Sequence, residues 1–356
     1  MTRNHTRKQH LVPQMYLRNW TASGGLYVAD RHNGRVLPNQ STENFAQEHD
    51  FYGFIDLDPN ELICLVEWTY MSFPPHRVRL IDAMLAVMVL HVLRLRVENQ
   101  DWSLDYENSF ERVRPKLLLS DEQDLAYQLF LSRIKMHIAV SQKEKDGLNK
   151  ITENGFEDFH SAIENGAKIV LDIVKRGDLS FLVSDRQKTM YLLIYLFDQF
   201  FRSRKYLKLI EDNRAEILRK VGASSKLVRC FRYFLPVLYY SRAIHLKDGR
   251  KMVTVRNESG VEYITSDSPV VLCGGLHEDL PALMYFPLSP KVALLYGVKK
   301  TINKIISKVG REIHDEKVVL HMNQCVANEC ERFIFGSSRQ ALELLQLPTH
   351  GSVAVG

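Results

Sequence analysis

The spacing of the apolar residues changes twice along this chain, and these changes constrain its fold more than any single motif does. Residues 26–54 read as short strands, and their Asn33-Gly34 pair favours a tight hairpin because both residues tolerate positive φ. Between residues 60 and 240 the apolar positions recur with a helical period, interrupted by a predicted short strand at Leu179–Val183. Strand-like segments then return. The sequence therefore predicts an α+β protein.

Two β segments around one helical block favour a specific arrangement. We expect strands from the N- and C-terminal segments to join in one small, mostly antiparallel sheet, with the mainly helical middle packed on it. Residues 1–356 would then form a single domain with an N-terminal β part (1–58), a helical part (59–241) and a C-terminal β part with two closing helices (242–356). A split into separate domains is the alternative, although no stretch rich in proline, glycine or serine marks a linker.

The composition limits the class of protein. A formal net charge of +5 over 356 residues permits an anionic partner such as a nucleic acid without requiring one. The five cysteines are widely spaced and include no C-x-x-C motif, which indicates reduced thiols and a cytoplasmic location. The most apolar stretch, residues 80–97, contains Asp82 and Arg94, so it predicts a core helix and not a membrane span.

The first candidate site lies near the N-terminus and contains His10, Gln14 and Tyr16. A histidine can act as a general base near neutral pH, and a neighbouring amide and phenol can orient a substrate. In the alternative interpretation, His10 bonds to a backbone carbonyl while Pro13, Tyr16 and Trp20 hold the N-terminal segment against the core.

The second candidate is Asp267, within the motif Thr265–Pro269 between two apolar strands. A carboxylate at the end of a strand is a common metal ligand or general base. An aspartate two residues before a proline is also ordinary turn chemistry, because its side chain can bond to the backbone beyond it. The sequence alone favours the turn.

Two arginines form the third candidate, because Arg94 and Arg202 each end a very apolar helical run. An arginine in that setting needs a carboxylate or another anion as its partner. Asp198 lies one turn before Arg202 and predicts an ion pair. Arg94 has no such neighbour in the sequence, so it could bind a phosphate or a carboxylate of the protein, and a structural ion pair is the favoured interpretation.

Metal and cofactor motifs are absent or incomplete. His321 and Cys325 share a predicted helix face, but Cys330 falls outside it, so we predict no zinc site. Asp315–Lys317 fits the acidic-x-Lys element of metal-dependent nucleases, yet the sequence predicts that it opens a helix instead of lying on a strand. The sequence contains no Walker loop, G-x-G-x-x-G, G-x-S-x-G or H-E-x-x-H motif. We therefore expect no cofactor, with Mg²⁺ required only if the protein is a nuclease.

Residues 10–20, His-Leu-Val-Pro-Gln-Met-Tyr-Leu-Arg-Asn-Trp, resemble the opening signature of a large bacterial family catalogued only as a domain of unknown function. Members start with His-x-Val-Pro-x-x-Tyr-Leu, followed by Phe or Trp. Further segments resemble the family in order along the chain: Asp50-Phe51-Tyr52, Arg94 at the end of the first long helix, Thr265–Val270, Phe286–Pro290 and Asn323–Phe335. On this resemblance Asn323 joins Tyr16, Arg94 and Arg202 as a candidate binding residue.

The resemblance implies a bacterial cytosolic protein from a family often found in mobile or defence loci, and it transfers no established reaction. Our preferred hypothesis is an intracellular sensing or binding protein in anti-phage defence, with a protein or nucleic-acid partner. The alternative is a hydrolase or nuclease acting on nucleic acid or another phosphate ester, with His10 and Gln14 beside Asp267 and an arginine stabilising anionic charge. An open cleft that contains His10 and Asp267 would favour the enzyme, and side chains bonded to the backbone would favour the binding protein.

Overall fold

The computed structural model describes residues 8–10, 12–21, 25–45, 47–49, 56–72, 79–99, 103–136, 141–143, 146, 155–203, 206, 225–246, 249–277 and 280–345. The chain divides into two compact units. Unit 1 comprises residues 1–51, 163–207 and 242–356, and unit 2 comprises residues 52–162 and 208–241. The α+β class is confirmed, and the single domain over residues 1–356 stays a prediction.

The α-helices of the described residues are α1 Gln14–Leu17, α2 Pro59–Ser72, α3 Arg79–Glu98, α4 Leu104–Val113, α5 Asp121–Lys135, α6 Gly155–Lys175, α7 Phe181–Ser184, α8 Arg186–Phe201, α9 Ser225–His245, α10 Lys299–Val309, α11 Glu316–Glu329 and α12 Arg339–Glu343. The strands are β1 Lys8–His10, β2 Leu26–Asp30, β3 Arg35–Gln40, β4 Gln47–His49, β5 Arg250–Asn257, β6 Thr265–Ser266, β7 Val271–His277, β8 Leu280–Ser289, β9 Val292–Val298, β10 Glu312–Ile313 and β11 Phe333–Gly336.

One sheet of unit 1 combines strands from both parts of the chain. Its order is β3-β2-β11-β6, and all of its pairings are antiparallel. Phe335 of β11 pairs with Val28 of β2 on one side and with Thr265 of β6 on the other. The predicted hairpin is present as well, since Gly34 has φ +66° and its N–H bonds to the carbonyl of Asp30 at 2.8 Å. The sheet predicted from N- and C-terminal segments is therefore confirmed.

A second, five-stranded sheet of unit 1 is built from C-terminal segments alone. Its order is β10-β5-β9-β8-β7, and only the β10–β5 pair is parallel. Nearly every residue of β8 and β9 is buried, as is usual for strands that are covered on both faces. Aromatic rings cover part of this sheet. The ring of Phe286 on β8 stacks on the ring of Tyr16 with 5.1 Å between ring centroids, and its centroid lies 6.3 Å from that of Tyr195 on α8. The short strands β1 and β4 pair separately.

The described part of unit 2 is helical, and α3 supplies much of its core. Leu85, Val89 and Leu93 of α3 are fully buried, as expected for the most apolar stretch of the sequence. No helix among the described residues of the whole chain is long and apolar enough to cross a membrane.

The strand predicted at Leu179–Val183 is wrong, because this segment contains the helical turn α7. The side chain of Asp178 accepts the N–H of Ser180 at 2.9 Å, and the N–H of Val183 bonds to the carbonyl of Ser180 at 3.2 Å. An aspartate that bonds to the backbone two residues ahead favours a turn over an extended strand.

The five-stranded sheet positions α10, which follows β9 without a loop. Ile302 of α10 is fully buried, and Ile305, Ile306 and Val309 are partly buried on the side that packs against β5, β8 and β9. The opposite side of α10 is exposed. Gly297, near the end of β9, allows close pairing with β8 at the base of this helix.

We predict that Gly297→Ala lowers the free energy of unfolding by about 1–3 kcal/mol, because the added Cβ would lie 2.8 Å from the Cα of Leu283 and against the carbonyl oxygen of Ala282. Chemical denaturation checks this value. Gly249→Ala is the matched control, since a Cβ at that position meets no atom within 4 Å. Equal stability of the two variants would contradict the prediction.

Candidate functional site

Tyr16, one of the predicted binding residues, lies in the core of unit 1. Its side chain is fully buried, and its hydroxyl donates a hydrogen bond to the carbonyl of Pro287 at 2.5 Å and lies 2.7 Å from Oγ1 of Thr265. Burial raises the pKa of Tyr16 well above its ordinary value, so the phenol stays protonated and can donate. These bonds hold α1 against both β6 and β8.

Asp267 follows β6 and bonds to the backbone that leads into β11. Its Oδ1 accepts the N–H of Glu331 at 2.9 Å, and its Oδ2 accepts the N–H groups of Arg332 and Phe333 at 2.8 Å each. Burial raises the pKa of Asp267, while the three N–H donors and the side chain of Cys330 act in the opposite direction. The carboxylate therefore joins β6 to the segment that leads into β11, 64 to 66 residues later, instead of bonding to the backbone of its own turn.

Asn323 of α11 is also fully buried and also bonds to backbone. Its Oδ1 accepts the N–H of Ile264 at 3.2 Å, and its Nδ2 donates to the carbonyl of Glu262 at 2.7 Å. An amide with both ends bonded in this way fixes the extended segment before β6 to α11. We refer to Tyr16, Thr265, Asp267 and Asn323, with their backbone partners, as the β6 network.

Arg202 lies outside the β6 network and is bonded to two carboxylates. Its Nε lies 2.8 Å from Oδ2 of Asp198, and its Nη1 lies 3.0 Å from Oε1 of Glu164. The predicted ion pair with Asp198 is confirmed. Because the buried guanidinium already has two acidic partners, its charge is compensated within unit 1.

The remaining predicted site residues occupy different surroundings. Gln14 accepts a hydrogen bond from Nη2 of Arg18 at 3.3 Å. The backbone of His10 belongs to β1, which pairs with β4, and its side chain lies outside the described residues. Arg94 belongs to α3 of unit 2, where it is partly buried one turn after the buried His91. Burial, and after it the charge of Arg94, lower the pKa of His91 to about 2.

The β6 network does not suit a divalent cation. Mg²⁺ prefers oxygen ligands, whereas the described partners of the Asp267 carboxylate are N–H groups with their positive ends directed at it. Among the described residues of the chain, no group of three His, Cys, Asp or Glu side chains converges in a way that could hold a metal ion.

Two features of unit 1 are not predicted from the sequence above. Thr265 and Pro287 bond to Tyr16, yet nothing in local spacing links residues so far apart. The second feature is a row of lysines on α10, which the sequence does signal. Lys300, Lys304 and Lys308 recur every four residues between apolar positions, the pattern of an amphipathic helix.

We predict that Asp267→Asn lowers the free energy of unfolding by about 1–3 kcal/mol, because an amide has only one accepting oxygen, cannot accept all three N–H groups and leaves at least one of them without its partner. Denaturant titration measures the change. Glu258→Gln provides the same chemical substitution at an exposed position of unit 1 and should stay close to wild type. A stable Asp267→Asn protein would show that these bonds contribute little.

We also predict a pH effect from His91. The unfolded chain binds a proton near pH 6.5 whereas the folded chain does not until about pH 2, so stability falls as the pH drops below 6.5. Between pH 7 and pH 5, wild type should lose about 2 kcal/mol more than His91→Gln in denaturation experiments. His314→Gln, at an exposed position, should retain the wild-type dependence. If the free energy of unfolding depends on pH in the same way in wild type and in His91→Gln, the prediction is wrong.

Comparison with known proteins gives one match. A model of the family described as "Protein of unknown function (DUF4238)" matches residues 8–340 and so includes every segment of the β6 network. No curated protein and no solved structure matches the chain. Because the match extends over most of the sequence, this chain belongs to the DUF4238 family of proteins of unknown function.

Proposed function

We propose that this protein is a sensing or binding protein and that the β6 network stabilises its fold instead of catalysing a reaction. The observation that carries the proposal is the environment of Asp267, whose two carboxylate oxygens accept three backbone N–H groups. A general base must direct a free lone pair at the proton that it removes. The bonds of Asp267 support a structural role because they direct its lone pairs at its own backbone.

The other described members of the predicted site support the same proposal. The hydroxyl of Tyr16 bonds to Thr265 and to a backbone carbonyl, and the amide of Asn323 bonds to backbone at both ends. Both side chains are fully buried. Arg202, proposed to stabilise anionic charge, already contacts two carboxylates. Ligand binding is therefore expected on another surface of the molecule. The location in the bacterial cytoplasm and the role in anti-phage defence are part of this proposal and rest on the family resemblance.

One observation favours the alternative, a hydrolase acting on nucleic acid or another phosphate ester. Burial raises the pKa of Asp267, and a carboxyl group with a raised pKa can serve as a general acid. In that case His10 and Gln14 would complete the site, and Mg²⁺ would have to bind through ligands other than the N–H-bonded oxygens of Asp267.

A cleavage assay separates the two proposals. We expect the purified full-length protein, incubated with Mg²⁺ or Mn²⁺, to leave labelled duplex DNA, single-stranded DNA and RNA intact on denaturing gels. Two variants control the experiment: His10→Ala removes the predicted base, and His314→Ala removes an exposed histidine of unit 1. Cleavage that His10→Ala abolishes and His314→Ala retains would overturn the binding proposal and support the hydrolase.

A further inference from the structure

The exposed side of α10 is strongly basic. Lys299, Lys300, Lys304 and Lys308 are all exposed, and Arg311 follows two residues after the helix ends. At 100° per residue the four lysines occupy one half of the helix, and α10 contains no acidic residue. We call these five residues the α10 basic face.

A sixth cation lies beside this surface. Nζ of Lys251, on β5, donates to Oδ1 of Asn303 at 2.7 Å, and Asn303 lies on the polar side of α10. Within the described part of the chain, no residue of the α10 basic face forms an ion pair. The surface therefore carries concentrated positive charge, and no ion pair among the described residues involves it.

The sequence of α10 is unfavourable for the helix itself. Lys299 and Lys300 occupy the first turn, where the positive end of the helix dipole repels cations. Val298 precedes them and provides no side-chain cap. Local choices that oppose helix stability are expected where a surface serves function.

We propose that the α10 basic face binds the phosphate backbone of duplex DNA. This inference rests on the proposed binding function and names its partner. Lys300 and Lys308 of α10 are about 12 Å apart along the axis at 1.5 Å per residue and about 80° apart around it, so their spacing is close to the major-groove width of about 12 Å. The helix can therefore lie across the groove with lysines near the phosphates of both strands. Because lysine contacts phosphates as a point charge, we expect no sequence preference.

Two other polyanions fit the surface less well. Single-stranded nucleic acid binds through aromatic side chains on which bases stack, and the exposed side of α10 has no aromatic residue. An amphipathic helix binds a membrane by burying its apolar side in the lipid, but Ile302 of α10 is buried against the sheet of unit 1. Duplex DNA requires only the exposed charges.

Fluorescence anisotropy with a labelled 20-base-pair DNA, measured over a series of salt concentrations, tests the proposal on the full-length protein. The test variant is K300Q/K304Q/K308Q, and the matched control replaces three exposed cations outside α10, K143Q/K168Q/R186Q. Each variant lowers the formal net charge from +5 to +2. Thermal melting followed by circular dichroism establishes that both variants are folded.

We expect wild type and the control to bind alike and the test variant to bind about 10-fold more weakly or worse. The slope of log K against log salt should fall in magnitude by about 3 in the test variant alone, because each lost phosphate contact removes about 0.9. Equal weakening in both variants, or no binding by wild type, would overturn the proposal. Tighter binding of duplex RNA, single-stranded DNA or phosphatidylserine vesicles would also overturn it.

These outcomes are separate from those of the cleavage assay. If DNA is cleaved and binding still depends on α10, the proposal of a non-hydrolytic protein is overturned, whereas the proposal that the α10 basic face binds DNA is supported. If DNA is neither cleaved nor bound, the surface fails and the non-hydrolytic function stands.

Discussion

Hydrogen bonds at β6 hold together segments that are far apart in the sequence. The hydroxyl of Tyr16 bonds to Pro287, 271 residues away, and the carboxylate of Asp267 bonds to backbone 64 to 66 residues later. Closing such long loops costs conformational entropy, so these contacts form only when surrounding burial offsets that cost. Fully buried Tyr16, Phe286 and Phe335 provide such burial. The arrangement of the four-stranded and the five-stranded sheet of unit 1 depends on this small group of polar side chains.

The resemblance to the family has a physical explanation in the same contacts. Tyr16, Thr265, Pro287 and Asn323 come from four separate segments of the region that the family model matches, and all four lie in or bond to the β6 network. Signature residues are often taken as a catalytic site. Here the described side chains of the group have hydrogen-bond partners within the fold. The exposed lysines of α10 present the opposite case, since none of them forms an ion pair with another described residue.

The sequence predicted local and patterned features well and long-range contacts poorly. The hairpin at Gly34, the central position of α3 and the Asp198–Arg202 pair follow from turn chemistry, hydrophobic period and helical spacing, and the structure bears them out. The joining of N- and C-terminal strands was predicted from the order of the elements. The separate five-stranded sheet was not, since strand pairing depends on contacts that no short window contains. Leu179–Val183 was mistaken for a strand because a five-residue apolar run does not distinguish strand from helical turn.

The position of β11 between β2 and β6 has a consequence for biosynthesis. Its residues 333–336 leave the ribosome about 300 residues after the N-terminal hairpin, so one edge of β2 has no strand to pair with during most of translation. Unpaired strand edges attract other chains, and incompletely folded proteins of this size aggregate readily. We therefore expect the nascent hairpin to be a point of contact for chaperones. Premature termination before residue 333 would leave a product that exposes this edge permanently.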